Sequence, residues 1–204
     1  MWNAPPCMRL ECAVPRAQRG LTLIELMVGV TVLSILLLFA VPSFQGTIAR
    51  SRLTSSTNDL VSAMALARSE AIRRGTRVTV CKTANGTACT TSGGWQQGWL
   101  VFADPTRGSA AATVDAGETV IAVAGARPGN INVLGTANFA NFVSFAADGT
   151  VRTMNGTSMA GRLRVCSNSG ALTDATRARE VDITSAGRLA TTVVNVTSAC
   201  VAPT

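Results

Sequence analysis

Gly20-Leu21-Thr22-Leu23-Ile24-Glu25-Leu26-Met27-Val28-Gly29-Val30 opens the run whose charge pattern decides the fold, for no side chain ionises from Leu26 to Ala49. A helix over those positions is about 36 Å long at about 1.5 Å per residue, enough to cross a hydrocarbon core of about 30 Å. Glu25 interrupts the apolar character that begins at Leu21. A carboxylate buried alone in lipid costs at least about 2.5 kcal/mol, so Glu25 requires either a partner or a place at the membrane interface. The flanks, Arg16 and Arg19 before and Arg50 and Arg52 after, do not set an orientation. A secretory signal peptide with Leu26–Ala40 as its apolar region is the competing reading. No small-x-small cleavage site follows it, since the chain continues Phe39-Ala40-Val41-Pro42-Ser43-Phe44.

Downstream, Pro42 withholds one backbone N–H and Gly46 adds freedom, which predicts a bend rather than an end. Beyond Arg50 the run becomes amphipathic, with Leu53, Leu60, Met64, Ala67 and Ala71 recurring at helical spacing. Glu70 stands one turn before Arg73 and Arg74, and Gly75 supplies a stop. One helix is therefore expected from about Thr22 to Arg74. From Thr76 the period changes to two. Strands are expected over about 77–81, 98–103, 119–124, 141–146, 151–154, 161–166, 179–184 and 188–194, with turns at Asp148-Gly149, Asn155-Gly156 and Ser185-Ala186-Gly187. Asp104–Gly117 and Arg127–Asn138, rich in Gly, Ala, Thr and Asn, read as loops. The fold class is α+β: a long N-terminal hydrophobic helix packed on an antiparallel β-sheet or sandwich.

The 204 residues allow one ordinary domain with an appended segment. With no His, the Ser-His-Asp triad, the Cys-His pair and most catalytic zinc sites are excluded. No phosphate loop, dinucleotide fingerprint or nucleophile elbow is present. Asp104, Asp115, Glu118 and Asp148 lack the dense spacing of a calcium loop. The expectation is a non-enzyme without cofactor or metal. The formal net charge of +7 comes from 18 Lys plus Arg, all but Lys82 being Arg, against 11 Asp plus Glu. Such a balance suits a nucleic acid or an anionic surface, and equally a GC-rich coding bias.

Six cysteines fall into two groups, Cys7 and Cys12 near the start and Cys81, Cys89, Cys166 and Cys200 beyond the helix. Four cysteines allow three disulfide connectivities, which an oxidising compartment would favour forming. Cys81 with Cys89, closing the Asn85-Gly86 loop, and Cys166 with Cys200, pinning the C-terminal tail, is the favoured one. A four-cysteine zinc site is disfavoured because no CxxC spacing occurs.

Gly20, four mostly apolar residues, then Glu25 and a hydrophobic helix resemble the cleavage site of type IV pilins and of the pseudopilins of type II secretion. The family usually has Phe where this chain has Leu21. The resemblance implies a prepilin peptidase cutting between Gly20 and Leu21, methylation of the new N-terminus, and pairing of Glu25 with the N-terminal ammonium of a neighbouring subunit. It divides the chain into a leader at 1–20, which begins at Met1 or Met8, a transmembrane and filament-core helix at 21–46, an amphipathic continuation at 47–75, and a β-rich globular domain at 76–204. Its partners would be other pilins or pseudopilins in a filament, the peptidase and the bacterial inner membrane, with the globular part in the periplasm.

The globular part has its own resemblance. Trp95-Gln96-Gln97-Gly98-Trp99 followed by Asp104, then Phe145-Ala146-Ala147-Asp148-Gly149 and Ser185-Ala186-Gly187-Arg188 before Cys200, is similar to the minor pilin family FimT and the minor pseudopilin family GspH. Trp95 and Trp99 read as core anchors rather than a ligand platform. Some FimT-like pilins bind DNA through Gly-Arg-x-Arg. Here Gly187-Arg188-Leu189-Ala190 keeps the first Arg and has Ala190 for the second, while Gly161-Arg162-Leu163-Arg164 matches the letters in an earlier strand. Arg162, Arg164, Arg177, Arg179 and Arg188 are the candidate DNA-binding residues, either as one phosphate-neutralising surface or as separately solvated side chains.

Overall fold

The computed structural model describes residues 20–106, 111–197 and 200–204, with the side chains of 39–43 outside that description. The expectations that fall on the leader before Gly20 therefore lie outside the described residues. The chain divides into two compact units, Met1–Val41 and Pro42–Thr204.

In the first unit, Thr22 opens helix α1, which runs Leu23–Arg74. The Thr22 hydroxyl accepts the Glu25 backbone N–H at 3.2 Å, satisfying one of the N–H groups that a helix start leaves without a partner. Leu23, Ile24, Leu26, Met27 and the apolar side chains through Leu38 are all more than half exposed. Among the described residues, no helix is long and apolar enough to cross a membrane. The span expected over Leu26–Ala49 includes 39–43, whose side chains lie outside the described residues.

In the second unit, α1 presents Ala49, Leu53, Leu60, Met64, Ala67 and Ala71 as one buried stripe, the period of an amphipathic helix. Gly75, at φ +62°, ends it in the left-handed region that glycine adopts without strain. Glu70 binds Arg73 at 2.6 Å and Arg74 at 2.7 Å. These guanidiniums, Arg73 first, hold the Glu70 carboxyl down at about 2.

Two four-stranded antiparallel sheets follow. The first has the order β3-β2-β1-β5, with β1 Val78–Lys82, β2 Trp99–Ala103, β3 Val120–Ala124 and β5 Phe142–Phe145. The second has the order β4-β6-β7-β8, with β4 Ile131–Gly135, β6 Gly161–Ser167, β7 Ala178–Ile183 and β8 Leu189–Val194. The α1 stripe joins Val78, Val80 and Val101 of the first sheet and Val133, Leu163, Val165 and Val181 of the second in one core. The architecture is α+β, a helix against antiparallel sheets.

Two segments differ from the sequence reading. Ile131–Gly135, read as loop, is β4: Ile131 and Val133 alternate into the core and the strand pairs with β6, a long-range gain that overrides its Asn- and Gly-rich composition. The strand expected over 151–154 is reduced to two isolated bridges, Phe145 with Val151 and Arg152 with Ser158.

The Trp-x-x-Gly-Trp run is structural. Trp95 and Trp99 are each 1% exposed, and Trp95 Nε1 donates to the Phe139 carbonyl at 2.9 Å. Gly98 has φ +126°, and a Cβ there would stand 2.5 Å from the Ala124 carbonyl oxygen. Only glycine lets β3 approach so closely. The Arg127 guanidinium lies 4.7 Å from the Trp99 ring centroid and binds Asp59 of α1 at 2.6 Å, fastening helix to sheet.

Candidate functional site

Gly20 and Leu21 are exposed at the start of the described chain, and a Cβ at Gly20 would meet nothing within 4 Å. Glu25 lies in the first turn of α1, where a carboxylate complements the positive end of the helix dipole. It is exposed, and it is the sole charged residue between Leu21 and Ala49. Around it stand the exposed Leu23, Ile24, Leu26 and Met27, with the Thr22 hydroxyl at the helix start.

Both disulfides are formed, Cys81 with Cys89 and Cys166 with Cys200. The first staples the loop after β1 over Leu100 and Phe102, on the face of the first sheet away from α1. Beside it the buried Lys82 donates to the carbonyls of Thr91 at 2.9 Å and Gly93 at 2.7 Å, and burial pushes its pKa down. The second staple holds Cys200 against Cys166, Ala178 and Val196.

The candidate DNA-binding arginines do not form one cationic surface. Cross-strand register places Arg162 opposite Asp182 and Arg164 opposite Glu180, all on the outer face of the second sheet. Arg162 binds Asp182 at 3.2 Å and donates to the Thr204 carbonyl at 3.2 Å. Arg164 binds Glu180 at 2.5 Å and donates to the Val201 carbonyl at 2.8 Å. Both are spent on the β7 carboxylates and the C-terminal tail. Arg177 is buried, donates to the Leu172 carbonyl at 2.6 Å and binds Asp174 at 2.9 Å. Arg179 pairs in register with Val165 and Val193, which puts it on the opposite face from Arg162 and Arg164, and it is half-buried. Arg188 alone of the five is exposed without a carboxylate partner among the described residues.

Asp104 is buried, and burial raises its pKa against the lowering effect of the Thr79 hydroxyl, which donates to it at 2.8 Å. Among the described residues no group of three or more acidic or cysteine side chains is placed to hold a metal ion.

The sequence reading assigned no role to Arg68 or Arg127. Arg68, on α1, reaches across to donate to the Ala186 carbonyl at 3.2 Å, and Arg127 closes on an Asp59 that lies 68 residues earlier. Neither contact leaves a local signal, because each partner is distant in sequence.

Comparison with known proteins adds the following. A family model described as Type II transport protein GspH matches residues 56–187, and the Prokaryotic N-terminal methylation motif matches residues 15–41. Two crystal forms of the Pseudomonas aeruginosa type IV minor pilin FimU are similar in structure. One is 22% identical with a TM-score of 0.48, covering 69% of this chain and 88% of FimU. The other is 19% identical with a TM-score of 0.45, covering 68% and 91%. No curated protein sequence matches the chain. The GspH model covers more than half of the sequence and takes in the α1 stripe from Leu60 onward, both sheets as far as β7 and the turn at Gly187; the chain belongs to the GspH family of pilin-like proteins.

Proposed function

We propose that the chain is a minor subunit of a type IV pilus, made as a precursor that a prepilin peptidase cuts between Gly20 and Leu21. The new N-terminus is methylated. Leu21–Phe44 then resides in the bacterial inner membrane, with the sheets in the periplasm, until the helix transfers into the filament core. There Glu25 pairs with the N-terminal ammonium of a neighbour and sets the register. The role is one of assembly, not catalysis.

The observation that carries this reading is the exposed apolar surface of α1 around one carboxylate. Leu21, Leu23, Ile24, Leu26 and Met27 are 57–78% exposed, a patch far beyond what a monomer leaves in water. A bundle of such helices buries that surface, and in its low dielectric a paired Glu25 is tolerable where a lone one is not.

The second reading, a minor pseudopilin of a type II secretion system, is favoured by the description of the matching family model. Deleting the gene and scoring both surface pili and secreted proteins separates the two: lost pili with normal secretion supports the pilus, and the reverse supports the secretion system. In either case Glu25→Ala should abolish incorporation into filaments, and normal incorporation would overturn the pairing argument. A contribution to DNA uptake draws little support from the arginines, since Arg162, Arg164 and Arg177 are paired with carboxylates. Duplex DNA binding that falls steeply with salt and disappears on Arg188→Ala would restore it.

A further inference from the structure

Between α1 and the start of β8 lies a cavity of about 470 Å³ lined by Ala65, Arg68, Ser69, Ile72, Arg188 and Leu189. Its walls are aliphatic, and its polar lining is the Arg68 and Arg188 guanidiniums and the Ser69 hydroxyl. Seven arginines form ion pairs with Asp or Glu among the described residues, yet neither Arg68 nor Arg188 does. Arg68 Nε is buried with no hydrogen-bond partner, while the same side chain donates to Ala186 O. The Ser69 hydroxyl donates to the Leu66 carbonyl at 2.9 Å, so its proton is already used and the guanidiniums are the donors left for an anion. Ile72 remains 54% exposed at the rim.

The backbone around Arg68 is shaped to hold it. Gly149 and Gly187 sit at φ +76° and +74°, and their turns close on the guanidinium from two sides. A Cβ at Gly187 would lie 2.2 Å from the Gly149 carbonyl oxygen and 3.0 Å from Arg68 Nε. Arg68 is thus fixed before any partner arrives, which lowers the ordering cost of binding.

We propose that this groove docks a segment of another protein that presents a carboxylate beside an aliphatic side chain. The carboxylate sits between Arg68 and Arg188, taking charge-assisted hydrogen bonds from them, and the aliphatic group lies on Ala65, Ile72 and Leu189. Charge complementarity favours this occupant over nucleic acid. A duplex is held by a series of free cations that neutralise successive phosphates, and a single strand adds aromatic platforms for its bases. Here there are two cations, aliphatic walls and no aromatic ring, and the outer-face arginines of β6 are already paired. The inference goes beyond the filament role and rests on the groove alone.

The test uses the full chain in detergent micelles at low salt and three fluorescent probes: the peptide Gly-Val-Glu-Val-Gly, its Gln counterpart, and a random-sequence DNA duplex. The Glu peptide is expected to bind about tenfold or more tighter than the Gln peptide, by fluorescence anisotropy. Arg188→Gln, at an exposed position, removes that preference. Ile72→Asp, also exposed, places a carboxylate of the chain's own at the rim and blocks the Glu peptide. Equal binding of the two peptides, absence of peptide binding, a preference unchanged by Arg188→Gln, or displacement of the Glu peptide by the duplex would each overturn the proposal.

Discussion

Arg164 and Glu180 face each other across β6 and β7 at 2.5 Å, with only 13% and 8% of their side chains exposed. A pair so enclosed is costly to break on one side. Glu180→Gln leaves a guanidinium without its charge partner, and the expected loss is about 3–5 kcal/mol in urea unfolding of the domain. The neighbouring pair Arg162 and Asp182 is 46% and 44% exposed, so Asp182→Asn should cost no more than about 1 kcal/mol. Equal losses at the two positions would mean that burial does not govern the ladder.

The staple between Cys166 and Cys200 spans 34 residues of sequence. Chain-entropy arithmetic gives a loop of that length about 3–4 kcal/mol of stabilisation. Cys200→Ser should lower stability by that amount under oxidising conditions, and mild reduction of the wild type should reproduce the loss. The shorter staple, over 8 residues, should be worth about 2–3 kcal/mol.

Gly98→Ala meets both a positive φ and the Ala124 carbonyl oxygen at 2.5 Å. The β2–β3 approach must open to admit the methyl group. A loss of about 2 kcal/mol or more is expected in thermal melts, accompanied by a change in Trp99 fluorescence as the strand shifts. An alanine variant as stable as the wild type would show that the close approach is not required.

Glu70 gives the helix end a pH dependence with a definite sign. Its carboxyl is held at about 2 against an ordinary 4.5, so its contribution is complete above pH 4.5 and is lost as pH falls through about 2. Amide exchange over Ile72–Gly75 should speed up across that window in the wild type and not in Glu70→Gln. The same dependence in both proteins would place the titrating group elsewhere.

The helix is legible because a period of 3.6 needs no knowledge of the rest of the chain. Leu53, Leu60, Met64, Ala67 and Ala71 are all fully buried at that spacing. Strands with dense β-branched residues, such as Val78–Lys82, are legible for the same reason. Ile131–Gly135 is not, since its Asn and Gly residues signal a loop and only pairing with β6 makes it a strand. The arginines show the deeper limit. Period two correctly puts Arg162 and Arg164 on one face, but their partners Asp182 and Glu180 lie on β7, and the register between strands is absent from local sequence. Arg68 was invisible for a similar reason, because its surroundings come from two glycine turns far along the chain.

The ladder on the second sheet also bears on how the molecule looks from a distance. A cation fixed beside a carboxylate makes a short dipole, whose far field decays much faster than that of an isolated charge. At one Debye length, about 8 Å at physiological salt, an approaching polyanion meets a wall that is electrically silent. A chain with a formal charge of +7 can therefore turn toward its surroundings a face with no reach, and its long-range pull originates elsewhere.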